Sequence, residues 1–274
     1  MECPVSSGAI IVTGGGGGIG RAIAGRLHAD GHTVVIADRD RAVAESAAAA
    51  IGCEFELIDI GDEASVISGV KAVAARHGGL FGVVNNAGIH MQALVVETAV
   101  EDWDRIFSVN TRGTFLMSRE AARIMAAQQS GQIVNIITKL GFGNPFSSAY
   151  LSSKNAIWGL TQCLAIEMAS SGVRVNAIAP GHVGPGTGME KAFRAKAEKL
   201  GKSWDDFEAD VVATIPLHRW CTPEDVAGGV SWLMGPDTSF VTGELINITG
   251  GFQAYASTPS ADSVRAAAER GPTK

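Results

Sequence analysis

Short apolar runs alternate along this chain with longer segments in which apolar residues recur every three or four positions. The short runs predict strands, and the longer recurring patterns predict helices. The predicted strands lie at residues 9–12, 33–37, 54–58, 81–84, 132–137, 173–178 and 245–248. The predicted helices lie at about residues 21–30, 40–51, 62–77, 101–128, 147–170 and 190–200, and from Pro223 onward. Strands that alternate with helices are typical of a parallel sheet, so the pattern predicts an α/β fold.

Two segments depart from this alternation. Residues 182–215 combine several glycines with one charged helical pattern, and we expect them to form a substrate loop that acts as a mobile lid. From residue 254 onward the chain is polar and rich in small residues, which indicates a frayed tail with a short helix at residues 260–270. We therefore predict one domain over residues 1–253 and a polar C-terminal tail over residues 254–274.

Composition and charge exclude several classes of protein. The chain has 274 residues, of which 46% are hydrophobic, so a sizeable core can form. Its net charge of −6 is spread over interspersed acidic and basic residues, which argues against a nucleic-acid partner. The four cysteines stand far apart without a histidine pair nearby, so we expect no metal site and no disulfide framework. No run approaches the roughly 18 apolar residues of a membrane span, and we expect a cytoplasmic protein without a membrane partner.

Glycines follow the first predicted strand and lead into a helix. They fit two spacings at once, Gly-x-Gly-x-x-Gly from Gly15 and Gly-x-x-x-Gly-x-Gly from Gly14. Backbone N–H groups in such a turn, at the N-terminus of a helix, can bind a pyrophosphate. A merely flexible loop is the alternative. The dinucleotide-binding candidates in this turn are Gly14, Gly17, Gly18, Ile19 and Gly20.

Asp38 ends the second predicted strand, about 20 residues after the glycine turn. In a dinucleotide-binding fold this position holds a carboxylate that binds the hydroxyls of the adenosine ribose. Capping of the helix that starts near Asp40 is the competing role. We predict ribose binding, which favours NAD over NADP.

Tyr150 and Lys154 stand four residues apart in a predicted helix, which places both on one face. Ser147 or Ser148 can cap the start of this helix. A phenol has a pKa near about 10, and a neighbouring cation lowers it by about 1–3 units, so we expect Lys154 to lower the pKa of Tyr150. The alternative is a packed aromatic ring beside a solvated charge.

Taken together, these motifs resemble those of the short-chain dehydrogenase/reductase family over about residues 9–252. The matching segments occur in the family's order and near its spacing, and they are Thr13-Gly14-x-x-x-Gly18-Ile19-Gly20, Asn85-Asn86-Ala87-Gly88, Val109-Asn110, Tyr150-x-x-x-Lys154, Arg174-Val175-Asn176 and Pro180-Gly181. The resemblance implies a doubly wound Rossmann-type sheet of about seven parallel strands, with the cofactor across their carboxyl ends.

The resemblance also implies a role for each matching residue. Tyr150 is similar to the family's general acid/base, and Lys154 to the residue that lowers the pKa of the phenol and binds the nicotinamide ribose. Asn110 is similar to the residue that supports a water-mediated proton relay, and Thr138 takes the place of the usual catalytic serine, counted back from Gly141. The remaining cofactor-binding candidates are Asp59, Ile60, Asn86, Ala87, Gly88, Pro180, Gly181, Val183 and Thr187.

One departure from the family concerns the nicotinamide carboxamide. The family tends to place a threonine at the position of Pro185, and the nearest threonine here is Thr187. His90 and His182 follow two of the motifs, and each either orients a polar substrate group or is an ordinary wall residue. The same alternatives apply to four apolar or aromatic residues, Met91, Phe142, Trp158 and Met189.

The sequence thus predicts an NAD-dependent oxidoreductase that interconverts a small secondary alcohol and a ketone. An NADPH-dependent reductase of 3-oxoacyl thioesters is the alternative enzyme. A dinucleotide-binding regulatory or scaffold protein without turnover is the alternative outside enzymes. The resemblance further implies a homodimer or homotetramer, formed by helices near residues 101–128 and 147–170.

Overall fold

The computed structural model describes residues 8–139, 146–184 and 187–252. Its strands are β1 (Ala9–Thr13), β2 (Val34–Asp38), β3 (Glu54–Leu57), β4 (Leu80–Asn85), β5 (Gly131–Ile136), β6 (Val173–Pro180) and β7 (Leu245–Ile248). The α-helices within the described residues are α1 (Gly18–Ala29), α2 (Arg41–Ile51), α3 (Glu63–His77), α4 (Val100–Phe107), α5 (Gly113–Gln128), α6 (Ser148–Met168), α7 (Gly188–Lys199), α8 (Trp204–Ala213) and α9 (Pro223–Met234).

The strands form one parallel sheet in the order β3-β2-β1-β4-β5-β6-β7. The chain therefore runs outward from β1 to β3, returns to β4 beside β1, and runs outward again to β7. A ligand crevice is expected where the two halves meet, at the carboxyl ends of β1 and β4. The predicted doubly wound α/β fold is confirmed.

Helices cover both faces of the sheet. α1, α2 and α9 pack on one face through residues such as Leu27, Ala47 and Val230, while α3 and α5 pack on the other through residues such as Val70 and Met117. All five side chains are fully or almost fully buried. Because β1 is covered on both sides, every residue of it is buried, which explains why it reads as a continuous apolar run.

The single helix predicted over residues 101–128 is divided in the structure. α4 ends at Phe107, a π-helical turn follows over Ser108–Arg112, and α5 begins at Gly113. A Cβ atom on Gly113 would lie 2.9 Å from Cδ1 of Ile60, so the backbone at Gly113 is too close to the loop after β3 for any residue other than glycine. The π-helical turn contains Asn110 and lies directly before this close contact.

The segment of residues 182–215 holds two helices where the sequence indicated one. α7 matches the predicted helical pattern, and α8 was missed although Ser203 and Asp206 form a helix-start signal, with Ser203 Oγ accepting from the Asp206 N–H at 3.2 Å. The two helices enclose a small core of their own around Phe193, Phe207 and Trp220. The predicted tail, its helix at residues 260–270 and Phe142 lie outside the described residues.

Candidate active site

The glycine turn lies between β1 and α1 at the carboxyl edge of the sheet. Gly14 and Gly18 have φ values of 62° and 50°, a region that L side chains rarely adopt. A Cβ atom on Gly20 would lie 2.1 Å from the carbonyl oxygen of Gly14, so the close packing of the turn on α1 requires glycine there. At Gly17, by contrast, an added Cβ would meet no atom within 4 Å. The turn therefore presents open backbone at the start of α1, the geometry that binds phosphate groups.

Asp38 lies beside this turn. Its Oδ2 accepts from the N–H of Gly16 at 3.4 Å, and its Oδ1 accepts from the N–H of Asp40 at 3.2 Å. Asp40, and not Asp38, caps α2, because its side chain accepts from the N–H of Val43. Asp38 borders a second cavity, of about 190 Å³, together with Asp59 and Ile60. Three sequence-predicted adenosine contacts are thus brought together.

The loop after β4 is tied to the glycine turn through Asn86. Its Nδ2 donates to the carbonyl of Thr13 at 3.0 Å, and its backbone N–H donates to Thr13 Oγ1, also at 3.0 Å. The N–H of Ala87 donates to the same hydroxyl at 3.1 Å. These bonds hold residues 86–88 across the boundary between the two halves of the sheet, and Ala87 and Gly88 line both cavities.

Asn110 lies in the π-helical turn and is completely buried. Its Oδ1 accepts from the N–H of Ile89 at 2.8 Å, and its Nδ2 donates to the carbonyl of Ile89 and to Ser153 Oγ, both at 3.0 Å. Ser153 belongs to α6, so Asn110 joins the loop after β4 to the helix that carries Tyr150. A π-helical turn of this kind is frequent at functional sites.

Tyr150 and Lys154 both face the larger cavity from α6. The ammonium group of Lys154 is buried, and it donates to the carbonyl of Ile136 at the end of β5, at 2.9 Å. Thr138, two residues beyond that carbonyl, lines the same cavity. The predicted cap of α6 is wrong in detail, because Ser147 is the N-cap residue but its side chain makes no capping bond.

Burial dominates the acid–base properties of this pair. It raises the pKa of Tyr150 to about 12 and lowers the pKa of Lys154 to about 8. The expected lowering of the phenol's pKa by Lys154 is therefore wrong, because burial shifts this pKa in the opposite direction. The phenolate loses more hydration free energy on burial than the neutral phenol does, and a lysine whose own charge is disfavoured offsets this poorly.

The end of β6 and the loop after it contribute Pro180, Gly181, Val183 and Thr187 to the cavity wall. Val183 pairs with Cys221 in a β-bridge, which fixes the course of this loop. The hydroxyl of Thr187 donates to the carbonyl of Gly184 at 3.0 Å and accepts from the N–H of Met189 as the cap of α7. Its hydrogen is therefore engaged away from the cavity. Pro185 lies outside the described residues.

The larger cavity has a volume of about 900 Å³. It is lined by residues that the sequence predicted in the glycine turn, in the loop after β4, at Thr138, in α6 and in the loop after β6. Gly20 and Asn110 do not line the cavity, but they hold the glycine turn and the loop after β4 in place. The ring of His90 lies edge-on to that of Tyr150 with centroids 4.6 Å apart, and burial lowers the pKa of His90 to about 4.

The residues that line the larger cavity differ in part from those that the sequence predicted. Trp158 was a pocket candidate, but it packs with Ile157 and Leu245 in a separate core cluster. The missed wall residues continue segments already recognised, and they include Gln92, Lys139, Leu151, Lys191, Phe193 and Phe252. Gln92 Nε2 donates to the carbonyl of Ala192 at 2.8 Å, which ties α7 to the loop after β4. Extending each motif by a few residues along the chain is the signal that finds Lys139 and Gln92.

Comparison with known proteins agrees with this geometry. The family model described as enoyl-(acyl carrier protein) reductase matches residues 14–253. A short-chain dehydrogenase/reductase of Armillaria gallica is 41% identical over 258 residues, covering 90% of this chain and 97% of that protein. The chain belongs to the short-chain dehydrogenase/reductase family. It is therefore an oxidoreductase whose fold binds a nicotinamide dinucleotide and whose substrate is a small molecule.

Two solved structures of short-chain dehydrogenases/reductases that resemble this chain contain different cofactors. A crystal structure of NAD+-bound xylitol dehydrogenase superposes with a TM-score of 0.84 at 33% identity, covering 89% of this chain and 98% of that one. A variant of actinorhodin polyketide ketoreductase with NADPH superposes with a TM-score of 0.86 at 29% identity, covering 91% and 98%. Within the described residues, no helix is long and apolar enough to cross a membrane.

Proposed function

We propose that this protein catalyses reversible hydride transfer between NAD(H) and a secondary alcohol or ketone, with Tyr150 as general acid and base. The observation that carries the proposal is that Tyr150, Lys154 and Thr138 line one cavity together with the glycine turn. A proton donor, a hydroxyl donor and a phosphate-binding turn thus meet around one space large enough for both cofactor and substrate.

The residues present fit a nicotinamide dinucleotide. The open backbone at Gly17 and the positive φ values of Gly14 and Gly18 suit a pyrophosphate at the start of α1. Asp38 suits the hydroxyls of the adenosine ribose, and Asp59 and Ile60 border the space for adenine. When bound, the nicotinamide supplies or accepts the hydride.

Each residue near the reacting carbonyl has a separate task. The phenol of Tyr150 is protonated at neutral pH, because burial raises its pKa to about 12, so it can donate its proton to the substrate oxygen during reduction. The hydroxyl of Thr138 donates a hydrogen bond to the same oxygen as charge develops there. Lys154, held by the carbonyl of Ile136, binds the nicotinamide ribose.

Asn110 acts by positioning. Both of its amide hydrogens and one lone pair of Oδ1 are used to join Ile89 to Ser153. A water-mediated relay toward Lys154 would therefore use the remaining lone pair of Oδ1 or the backbone carbonyl of the π-helical turn. A Cβ atom on Gly88 would lie 3.1 Å from Asn110 Oδ1 and 3.4 Å from Lys154 Nζ, so these two polar groups border one small space.

NAD is the proposed cofactor because Asp38 would accept hydrogen bonds from a free 2′-hydroxyl and repel a 2′-phosphate. Arg39, which borders the smaller cavity beside Asp38, favours the alternative of an NADPH-dependent reductase of 3-oxoacyl thioesters. A regulatory or scaffold protein would need neither a buried lysine beside the tyrosine nor a cavity that both residues face.

The experiment that tests the reaction is the Tyr150→Phe variant, with Tyr255→Phe as the control. Loss of the phenolic hydroxyl should lower kcat by about 10²–10⁴-fold and leave NADH binding unchanged, since the ring is retained. The readout is the absorbance of NADH against a panel of ketones, with cofactor binding measured by titration. Near-normal kcat in Tyr150→Phe would remove the tyrosine from the proposed chemistry.

We further propose a homodimer or homotetramer formed through the helices α4, α5 and α6. Phe107, Phe115 and Leu160 border a cleft between these helices, and the side chain of Phe115 is 42% exposed. Burial of this apolar surface in an interface between copies would stabilise the assembly. Sedimentation of the wild type and of Phe115→Glu tests it, and an unchanged assembly in the variant would contradict it.

A further inference from the structure

The walls of the larger cavity carry charges of one sign. Among the described residues that line it, Lys139, Lys154 and Lys191 are basic and none is acidic. The segments 140–145 and 185–186, which lie between lining residues in sequence, contain no aspartate or glutamate. The chain as a whole has 28 acidic and 22 basic residues, so this local excess of ammonium groups is opposite to the net charge.

Lys139 lies at the reaction end of the cavity. It follows Thr138 directly, just beyond the carboxyl end of β5, and it is half-buried. β5 is separated from β1, which carries the glycine turn, by β4. Neighbouring strands are about 4.8 Å apart, so the ends of β1 and β5 are separated by roughly 10 Å. The backbone of Lys139 therefore lies next to Thr138 and about two strand spacings from the glycine turn.

Lys191 reaches the cavity from the first turn of α7. This turn is fixed in place by the bond from Gln92 Nε2 to the carbonyl of Ala192. The adjacent carboxylate, Glu190, points elsewhere, since it is paired with Arg194 at 2.8 Å. Within the part of the chain that the structure describes, neither Lys139 nor Lys191 forms an ion pair with a carboxylate. Both charges are thus available to a ligand.

A histidine of the cavity wall, His182, adds no charge to that of the two lysines. Burial and then the charge of nearby Lys196 lower the pKa of His182 to about 4, so this cavity-wall histidine is neutral. The carboxylates of the site, Asp38 and Asp59, lie at the opposite, adenosine end. Carboxylates therefore face the sugar hydroxyls of the cofactor, and ammonium groups face the substrate.

We propose that the substrate is a keto acid or hydroxy acid, whose anionic group is bound by Lys139 and Lys191 while its carbonyl or hydroxyl group lies at Tyr150. The inference rests on the proposed function, because it assigns the same cavity to the substrate. Lys191 is exposed and Lys139 is half-buried, so water solvates both ammonium groups beside a neutral substrate, whereas a carboxylate or sulfonate forms charge-assisted hydrogen bonds with them.

The test compares acids with their methyl esters, which differ in one charge. The probes are 3-oxobutanoate, 4-oxopentanoate, 5-oxohexanoate and 6-oxoheptanoate, each beside its methyl ester. Their dissociation constants are measured by calorimetry on the full chain saturated with NAD+, which cannot reduce a ketone. For the acid of matching length we expect about tenfold tighter binding than for its ester, the effect of one charge-assisted hydrogen bond.

The variants are Lys139→Met, Lys191→Met, their combination, the corresponding arginine variants, and Lys71→Met as the control. Lys71 is exposed on α3, away from both cavities. We expect the preference for the acid to fall in each single methionine variant, to vanish in the double variant, and to persist in the arginine variants and the control.

Three results would overturn the inference: equal binding of every acid and ester, an acid preference that survives in the double variant, or no binding of any acid at millimolar concentration. Variants that weaken NADH binding and leave the acid preference unchanged would also overturn it, because they would assign the lysines to the cofactor phosphates. Turnover is followed separately. Ester reduction without an acid preference refutes this inference alone, and an acid preference without any hydride transfer refutes the proposed function alone.

Discussion

Cofactor preference depends on the charge of Asp38 and on the space around the glycine turn. For two unit charges about 6 Å apart, an effective dielectric constant of about 20 to 40 corresponds to a repulsion of about 1.4–2.8 kcal/mol. Asp38 is half-buried, so the higher dielectric constant is appropriate. We expect kcat/KM to favour NAD over NADP by at least about tenfold, since 1.4 kcal/mol corresponds to a factor of about ten.

The substitution Asp38→Asn removes the charge and retains an oxygen that can accept from the N–H of Asp40. It should raise kcat/KM for NADP about tenfold and lower that for NAD by a smaller factor. Asp62→Asn is the matched control, because the Asp62 carboxylate is exposed, accepts from the N–H of Ala64 and lines neither cavity. Initial rates of oxidation at varied concentrations of each cofactor provide the measurement.

The structure also indicates where a cation for a 2′-phosphate can be added. A Cβ atom on Gly16 would lie 2.5 Å from Cγ1 of Val43, whereas the space at Gly17 is open and its φ of −153° suits any residue. In the Asp38→Asn background, Gly17→Arg should therefore raise kcat/KM for NADP further, and Gly16→Arg should lower stability instead. A wild-type protein that prefers NADP would refute the reasoning, because Arg39 would then outweigh Asp38.

Three further predictions concern the reaction centre and the turn. Thr138→Ser should remain active, while Thr138→Val, which keeps the shape and loses the donor, should lower kcat by about 10²–10³-fold; equal rates for valine and threonine would show that the hydroxyl takes no part. The rate of alcohol oxidation should rise between pH 6 and pH 9, because its base is the phenolate of Tyr150 and the fraction of phenolate increases with pH below a pKa of about 12. The same profile should show no inflection near pH 6.5, since burial lowers the pKa of His90 and of His182 to about 4, and an inflection there would mean that one histidine is charged in the working enzyme. Gly20→Ala should lower the midpoint of thermal unfolding by several degrees and weaken NADH binding, because its Cβ would meet the carbonyl of Gly14 at 2.1 Å, whereas Gly17→Ala, with open space, should leave the unfolding midpoint nearly unchanged.

The sequence by itself determined the fold class and most strand positions. Strands buried on both faces, such as β1, must be continuously apolar, and the helices between them must repeat every three or four residues, so both kinds of element can be recognised locally. The glycine turn and the pair Tyr150 and Lys154 were also recognisable, because their spacing within one element sets their relative position. The roles of Asn110 and Thr138 were inferred from the resemblance to the family.

Only the tertiary structure decided the features that depend on distant segments. The π-helical turn at Asn110 has no local signal in the sequence, and the close contact of Gly113 with Ile60 joins residues that are far apart in the chain. The hydroxyl of Thr187 is engaged as the cap of α7, and Trp158 packs against the core cluster of Ile157 and does not itself line the cavity. The pKa of Tyr150 is governed by burial, which no spacing in sequence can specify. The common sign of the charges on Lys139 and Lys191 became visible only when β5 and α7 were brought to one cavity, because electrostatic surroundings are a property of the folded chain.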